Sequence, residues 1–129
     1  MRAHYDLPFT TIAVPSGVSP AVFIPADNYR SIPNGAQWAR AQGELAHMIN
    51  SLEAQPAIQF NTSEDGSAVT TALGTNQTSY GLHHPTAATD ISSYAGQYQV
   101  WRPGWLVKNA GGATAYAWVG GFIEVWGGT

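Results

Sequence analysis

Apolar and polar positions alternate through much of this chain, and prolines break the alternation near its start. Residues 9–14 are β-leaning and residues 18–24 resume the pattern, with Pro8, Pro15, Pro20 and Pro25 punctuating both. Proline has no amide hydrogen to donate to a ladder, so these pieces are expected as edge strands or as an extended arm, residues 1–25, free to leave its own domain. The run Ser31-Ile32-Pro33-Asn34-Gly35 predicts a turn in which Asn34 caps a helix. Between residues 36 and 55 the period changes. Trp38, Ala41, Leu45, Met48, Ile49 and Leu52 recur at spacings of three and four, while Arg40, Gln42, Asn50 and Glu53 take the other side. That spacing predicts one amphipathic helix, ended by Pro56, and too short in its stripe for a coiled coil. Gly43, inside the pattern, suggests close approach by a neighbouring backbone.

Beyond the helix, residues 57–60 and 68–73 predict a hairpin around the turn Ser63-Glu64-Asp65-Gly66. Residues 74–96 show no sustained period and predict a long surface loop with at most one short strand near 92–94. A loop of that length is uncommon in a compact domain unless it binds something. The last third, residues 97–129, predicts β hairpins. Segments 97–101 and 105–108 flank Arg102-Pro103-Gly104, and Asn109-Ala110-Gly111-Gly112 turns the chain into 113–119 and 122–126. Within 113–119, Ala113, Ala115, Ala117 and Val119 fall on one face and Thr114, Tyr116 and Trp118 on the other, so both faces must meet something. Gly120-Gly121 predicts a bulge or bend that lets the last strand change direction or sheet. The expected fold is a mainly β sandwich or barrel with one helix packed on the sheet, and 129 residues suit a single domain.

Composition sharpens this picture. Only 10% of the residues are charged, against about 25% in ordinary soluble domains, and Lys108 is the sole lysine. With a net charge of −3 there is no basic face to hold phosphates, which argues against a nucleic-acid partner. Weakly charged surfaces repel one another little, and the Ala, Gly, Thr and Ser that replace the charges suit close contact with other protein. There are no cysteines, so disulfides and thiolate chemistry are excluded. Residues 1–9 do not have the pattern of a secretory signal, and no run approaches the roughly 18 apolar residues of a membrane span, so a cytosolic site of synthesis and no membrane partner are expected.

The titratable residues assemble into no known catalytic pattern. His83 and His84 are neighbours, which point oppositely in an extended chain. Glu44 and His47 have a spacing that places two ligands on one helical face, but the further carboxylates of a di-metal bundle are missing. Glu64 and Asp65 belong to a turn, and Asp90 suits a local hydrogen bond in its loop. Glu124, between Ile123 and Val125, is expected to face solvent with Phe122 and Trp126, or to pair with Arg102 or Lys108 at a contact. No metal, cofactor or enzymatic activity is expected. The aromatic residues Tyr98, Trp101, Trp105, Tyr116, Trp118, Phe122 and Trp126 crowd into the C-terminal block as core, interface anchors or a platform for sugar rings.

Few charges, no cysteine, Ala/Gly/Thr-rich loops, a proline-broken beginning and the block Trp101-Arg102-Pro103-Gly104-Trp105-Leu106-Val107-Lys108-Asn109 together give a chain that resembles the small accessory proteins of tailed-bacteriophage virions. The likeness is one of overall character, without a motif match, and carries over no functional residue. It implies a sandwich or barrel that decorates and cements a capsid, often as a trimer, assembled in the host cytoplasm with the major capsid protein or another virion protein as partner. A carbohydrate- or receptor-binding module using the C-terminal aromatics is the alternative. The residues expected to meet a partner are Phe9, Ile12, Val14 and Phe23 of the arm, His83 and His84 of the loop, and Trp101, Trp105 and Trp126.

Overall fold

The computed structural model describes residues 2–49, 52–63, 66–73, 81–83 and 88–127, with side chains for all of these except 44–49 and 81–83. In chain order the strands are β1 (Arg2–Val14), β2 (Val18–Pro25), β3 (Arg30–Ser31), β4 (Trp38–Ile49), β5 (Glu53–Asn61), β6 (Ala68–Ala72), β7 (Gly81–His83) and β8 (Thr89–Asp90). A short helix α1 (Ser92–Gln97) precedes β9 (Val100–Asn109) and β10 (Ala115–Trp126). One sheet runs β1-β10-β4-β7, with β8 also on β4, and the other runs β2-β9-β5-β6, with β3 also on β9. Every pairing is antiparallel. The sheets pack face to face, β1 over β9 and β4 over β5, which makes the fold a β-sandwich with one short helix.

The core is the interleaving of the two inner faces. Leu7, Ile12 and Val14 come from β1, Ala115, Ala117, Val119, Ile123 and Val125 from β10, Ile58 and Phe60 from β5, and Trp101, Trp105 and Val107 from β9. Large and small residues complement each other across the gap. A Cβ on Gly43 of β4 would lie 2.9 Å from Cγ of Pro56 and 3.1 Å from Cη2 of Trp105, so the glycine leaves room for the indole. The close approach inferred for Gly43 is therefore real, but a side chain of the facing sheet makes it.

The helix expected over residues 36–55 does not exist. Residues 38–49 form the interior strand β4, held by β10 on one side and by β7 and β8 on the other. Ala39, Ala41 and Gly43 point inward while Trp38, Arg40 and Gln42 are half-buried on the outside, a period of two written in small residues. Helix-favouring residue types are overridden because β4 gains ladder partners on both edges and seats Trp105 of β9. The one helix instead covers residues 92–97, where a short strand was expected. Its start is braced by Asp90, whose Oδ1 accepts hydrogen bonds from the Ser92 hydroxyl at 2.6 Å and the Ser92 amide at 2.9 Å. Those bonds hold the carboxyl below its ordinary range, the hydroxyl contributing most.

The N-terminal segment is no arm. Pro8, Pro20 and Pro25 do sit in edge strands and Pro15 between them, as β1 and β2 each end a sheet, but β1 pairs with β10 along most of its length and buries Leu7, Ile12 and Val14. The hairpin around residues 63–66 forms between β5 and β6, with β5 starting at Glu53. The hairpin expected between the last two strands does not: β9 and β10 lie in opposite sheets, and the turn between them crosses the sandwich. Asn109 secures that crossing. Its Nδ2 donates to the carbonyls of Val14 and Ala113, each at 2.9 Å, and its Oδ1 accepts from the Gly111 amide at 3.0 Å, so the buried amide is satisfied. Of the expected loop over 74–96, residues 74–80 and 84–87 lie outside the described residues, and the rest carries β7, β8 and the start of α1.

The Gly120-Gly121 step leaves β10 in its own sheet and bends its neighbours instead. Opposite the single residue Gly120, β1 spends two, Pro8 and Phe9, and one position further β4 accommodates Ala46 as an extra residue. Gly121 adopts φ +148°, and a Cβ there would come within 2.0 Å of the Gln42 carbonyl oxygen. Only glycine suits that backbone and that proximity.

Candidate interaction face

Strand alternation puts one set of β10 side chains in the core and the other on the outside of the β1-β10-β4 sheet. Ala115, Ala117 and Val119 are fully buried, whereas Tyr116 and Trp118 are 44% and 48% exposed. Phe9, from the β1 bulge, is 46% exposed and its ring centroid lies 5.1 Å from that of Trp118 at an angle of 52°. Three of the four large, substantially exposed apolar side chains among the described residues thus share one end of one sheet face. The fourth, Val22, belongs to the other sheet. Thr11 and Ala13, exposed on β1, stand at the register positions of Trp118 and Tyr116 and flank the rings with small groups.

The other end of the same face is charged and self-contained. Glu124 Oε2 accepts from Arg2 Nη2 at 2.9 Å and from Arg40 at 3.0 Å (Nη2) and 3.2 Å (Nε), a link across β1, β10 and β4. The two guanidinium groups also stand 5.8 and 5.5 Å from the Trp126 ring. Hydrogen bonds from Arg2 and then Arg40 hold the Glu124 carboxyl below its ordinary range. His4 stacks on Phe122 at 4.9 Å and its Nε2 lies 3.0 Å from Asp6 Oδ1. Glu124 therefore shares a face with Phe122 and Trp126, and its partners within the chain are Arg2 and Arg40.

The opposite outer face is closed by its own side chains. Arg102 donates to Gln59 Oε1 at 2.8 Å and covers the Tyr29 ring at 4.3 Å, while Tyr29 donates to Gln59 and accepts from Asn61 Nδ2. Lys108 pairs with Glu53 at 3.7 Å.

The residues expected to meet a partner are scattered by the fold. Ile12 and Val14 are core residues of β1, and Trp101 and Trp105, each 2% exposed, fill the space between the sheets, so none of these four is available at the surface. Phe23 is half-buried over Gly104, where a Cβ would meet its ring, and Arg102 lies 5.7 Å from it. Trp126 is half-buried beside the two arginines, and among those of the set whose side chains are described Phe9 alone is strongly exposed. His83 holds a place on the edge strand β7, opposite Gly43, and His84 lies outside the described residues. Tyr116 and Trp118 were absent from the expected set. Their signal was the alternation of residues 113–119, which already separated them from the alanines. Among the described residues no three histidine or carboxylate side chains come together as a metal site, and no helix is long and apolar enough to cross a membrane.

The molecule is thus an antiparallel β-sandwich in which the outer face of one sheet exposes an aromatic cluster. No protein-family model and no curated protein matches the chain. Solved structures do. A structure of infectious bursal disease virus, Gt strain, matches with a TM-score of 0.64 at 11% identity over 99% of this chain and 33% of the other. The VP2 subviral particle of the same virus matches with a TM-score of 0.65 at 13% identity over 97% and 31%. The D431N mutant VP2 protein of that virus, in derived T=1 particles, gives 0.63 at 11% over 99% and 32%. The chain spans about a third of the length of these proteins, and at such identities the likeness is one of fold.

Proposed function

We propose that this chain is a structural component of a virus particle and works through protein–protein contact. The observation that carries the reading is the likeness of nearly the whole sandwich, 97–99% of the chain, to proteins solved as viral particles. A surface with few charges and a sheet face that exposes apolar rings support it. The finer form of the reading is a decoration or cement protein seated on a capsid lattice, as the resemblance to tailed-bacteriophage accessory proteins implies. The major capsid protein or another virion protein is then the partner, a homotrimer the functional unit, and the host cytoplasm the place of assembly. A carbohydrate- or receptor-binding role would draw on a row of exposed C-terminal rings, and burial of Trp101 and Trp105 leaves that row short.

Density-gradient-purified particles from the source, analysed by quantitative peptide mass spectrometry, test the reading. The chain should be present in many copies per particle, and its absence overturns the proposal. Mild denaturant should strip it from intact shells if it decorates them. Shells that fall apart as it leaves would make it a lattice subunit instead.

A further inference from the structure

We infer that the outer face of the β1-β10-β4 sheet is the contact by which a second copy of this chain binds, with Phe9, Tyr116 and Trp118 as its apolar end. The biological setting rests on the virion reading, but the contact itself is argued from the face. Charge is the first argument. Arg2 and Arg40 share the one carboxylate of Glu124, and Asp6 stands beside His4, so with histidine counted as neutral these four charged groups sum to zero. A copy brought against them meets no net charge from these groups, and they lie at the end of the face away from the apolar rings.

Size is the second. The three strands have 13, 12 and 12 residues. At about 3.3 Å per residue and about 4.8 Å between strands they span roughly 600 Å² in projection, and a pleated surface exceeds its projection. That is comparable with the roughly 800 Å² that each side of a standard stable interface buries. Tyr and Trp, which this face exposes, are among the residue types that dominate binding energy.

The arrangement of the rings is the third. Phe9 is tilted 52° against Trp118, which suits interlocking with other tilted aromatic side chains better than stacking on a flat sugar ring.

Sedimentation velocity over a range of protein concentrations tests the inference. The intact chain should self-associate, Trp118→Ser should weaken association at least about tenfold, and Val22→Ser, a comparably exposed apolar site on the other sheet, should leave it unchanged. Because the chain lacks cysteine, a single Thr11→Cys thiol provides a second readout that does not depend on the tryptophan variant. It should react more slowly with a bulky maleimide at high protein concentration than at low, whereas a Thr62→Cys thiol should react at one rate. An intact chain that stays monomeric, a Trp118→Ser chain that associates like the intact one, or a Thr11→Cys thiol indifferent to concentration each overturns the contact. A monomer whose tryptophan fluorescence responds to sugars assigns the face to carbohydrate and likewise overturns it. None of these outcomes changes whether the chain is found in purified particles, so the two readings fail separately.

Discussion

The ring of Phe9 lies on Gly120, so close that a Cβ at residue 120 would stand 2.7 Å from Cγ of the phenylalanine and 2.8 Å from both Cδ atoms. The β1 bulge at Pro8 and Phe9 delivers the ring to this seat, and the ring in turn braces Trp118. One glycine thereby shapes the exposed aromatic cluster. Gly120→Ala should displace the ring and cost about 1–3 kcal/mol, the usual penalty of overpacking. In a double-mutant cycle, Phe9→Ala should recover part of that loss, with a coupling of about 0.5–3 kcal/mol in urea unfolding. Strictly additive costs would show that the two residues do not meet.

Deleting residues 1–15 distinguishes a strand from an arm. The deletion removes β1, with Leu7, Ile12 and Val14 from the core, and exposes the ladder edge of β10. At about 1.5–3 kcal/mol for each buried side chain of this size, the loss approaches the whole stability of a small domain. The shortened chain should lack a cooperative thermal transition. A folded product would mean that β1 is dispensable.

Trp105 and Gly43 fit each other across the sandwich, so both directions of volume change should destabilise. Trp105→Ala should cost about 3–5 kcal/mol through the cavity it leaves, and Gly43→Ala about 1–3 kcal/mol through crowding against Pro56 and the indole. Chemical denaturation midpoints with unchanged slopes would report these losses directly. A neutral Gly43→Ala would contradict the packing.

Glu124 links stability to pH. Its carboxyl is held below its ordinary range by Arg2 and Arg40, so the ionised form is favoured by folding. The stabilisation is complete above the unfolded-state value and is lost as the pH falls through the lowered folded-state value, that is, on the acid side of the ordinary carboxylate range. Glu124→Gln should cost about 1 kcal/mol at neutral pH, since Arg2 is largely exposed and its share is screened. The same variant should flatten the acid limb of the stability profile. An unchanged acid limb would remove Glu124 from the account.

Self-association through an aromatic cluster should be nearly indifferent to moderate salt. Screening weakens contacts between exposed charges, and the charges of this face sit at the end away from the aromatic cluster, where Arg2 and Arg40 bind Glu124 within each copy. Sedimentation in low and physiological salt should give the same dissociation constant within about threefold. A steep salt dependence would place charges at the centre of the contact instead.

Local sequence determined the elements whose signals are local. Prolines confined β1 and β2 to sheet edges, the turn at residues 63–66 paired β5 with β6, and the alternation from Ala115 to Val119 separated a buried face from an exposed one. The sandwich class followed from those features together. Tertiary structure decided the rest. In β4 the inward positions are Ala39, Ala41 and Gly43, which weigh almost nothing in a pattern of large apolar residues, so the larger outward and flanking residues suggested a helix. The volume those small residues leave is filled by Trp105 from a strand far along the chain. In the same way, the turn after Asn109 carries an ordinary hairpin signal, yet it crosses between sheets, because β9 and β10 find their ladder partners in β5 and β2, and in β1 and β4. The candidate face depends on that choice. Trp101 and Trp105 are buried, and Tyr116 and Trp118 are exposed, because a strand's alternation fixes only that neighbouring side chains point apart. Which side becomes the interior is settled by the sheet that packs against it.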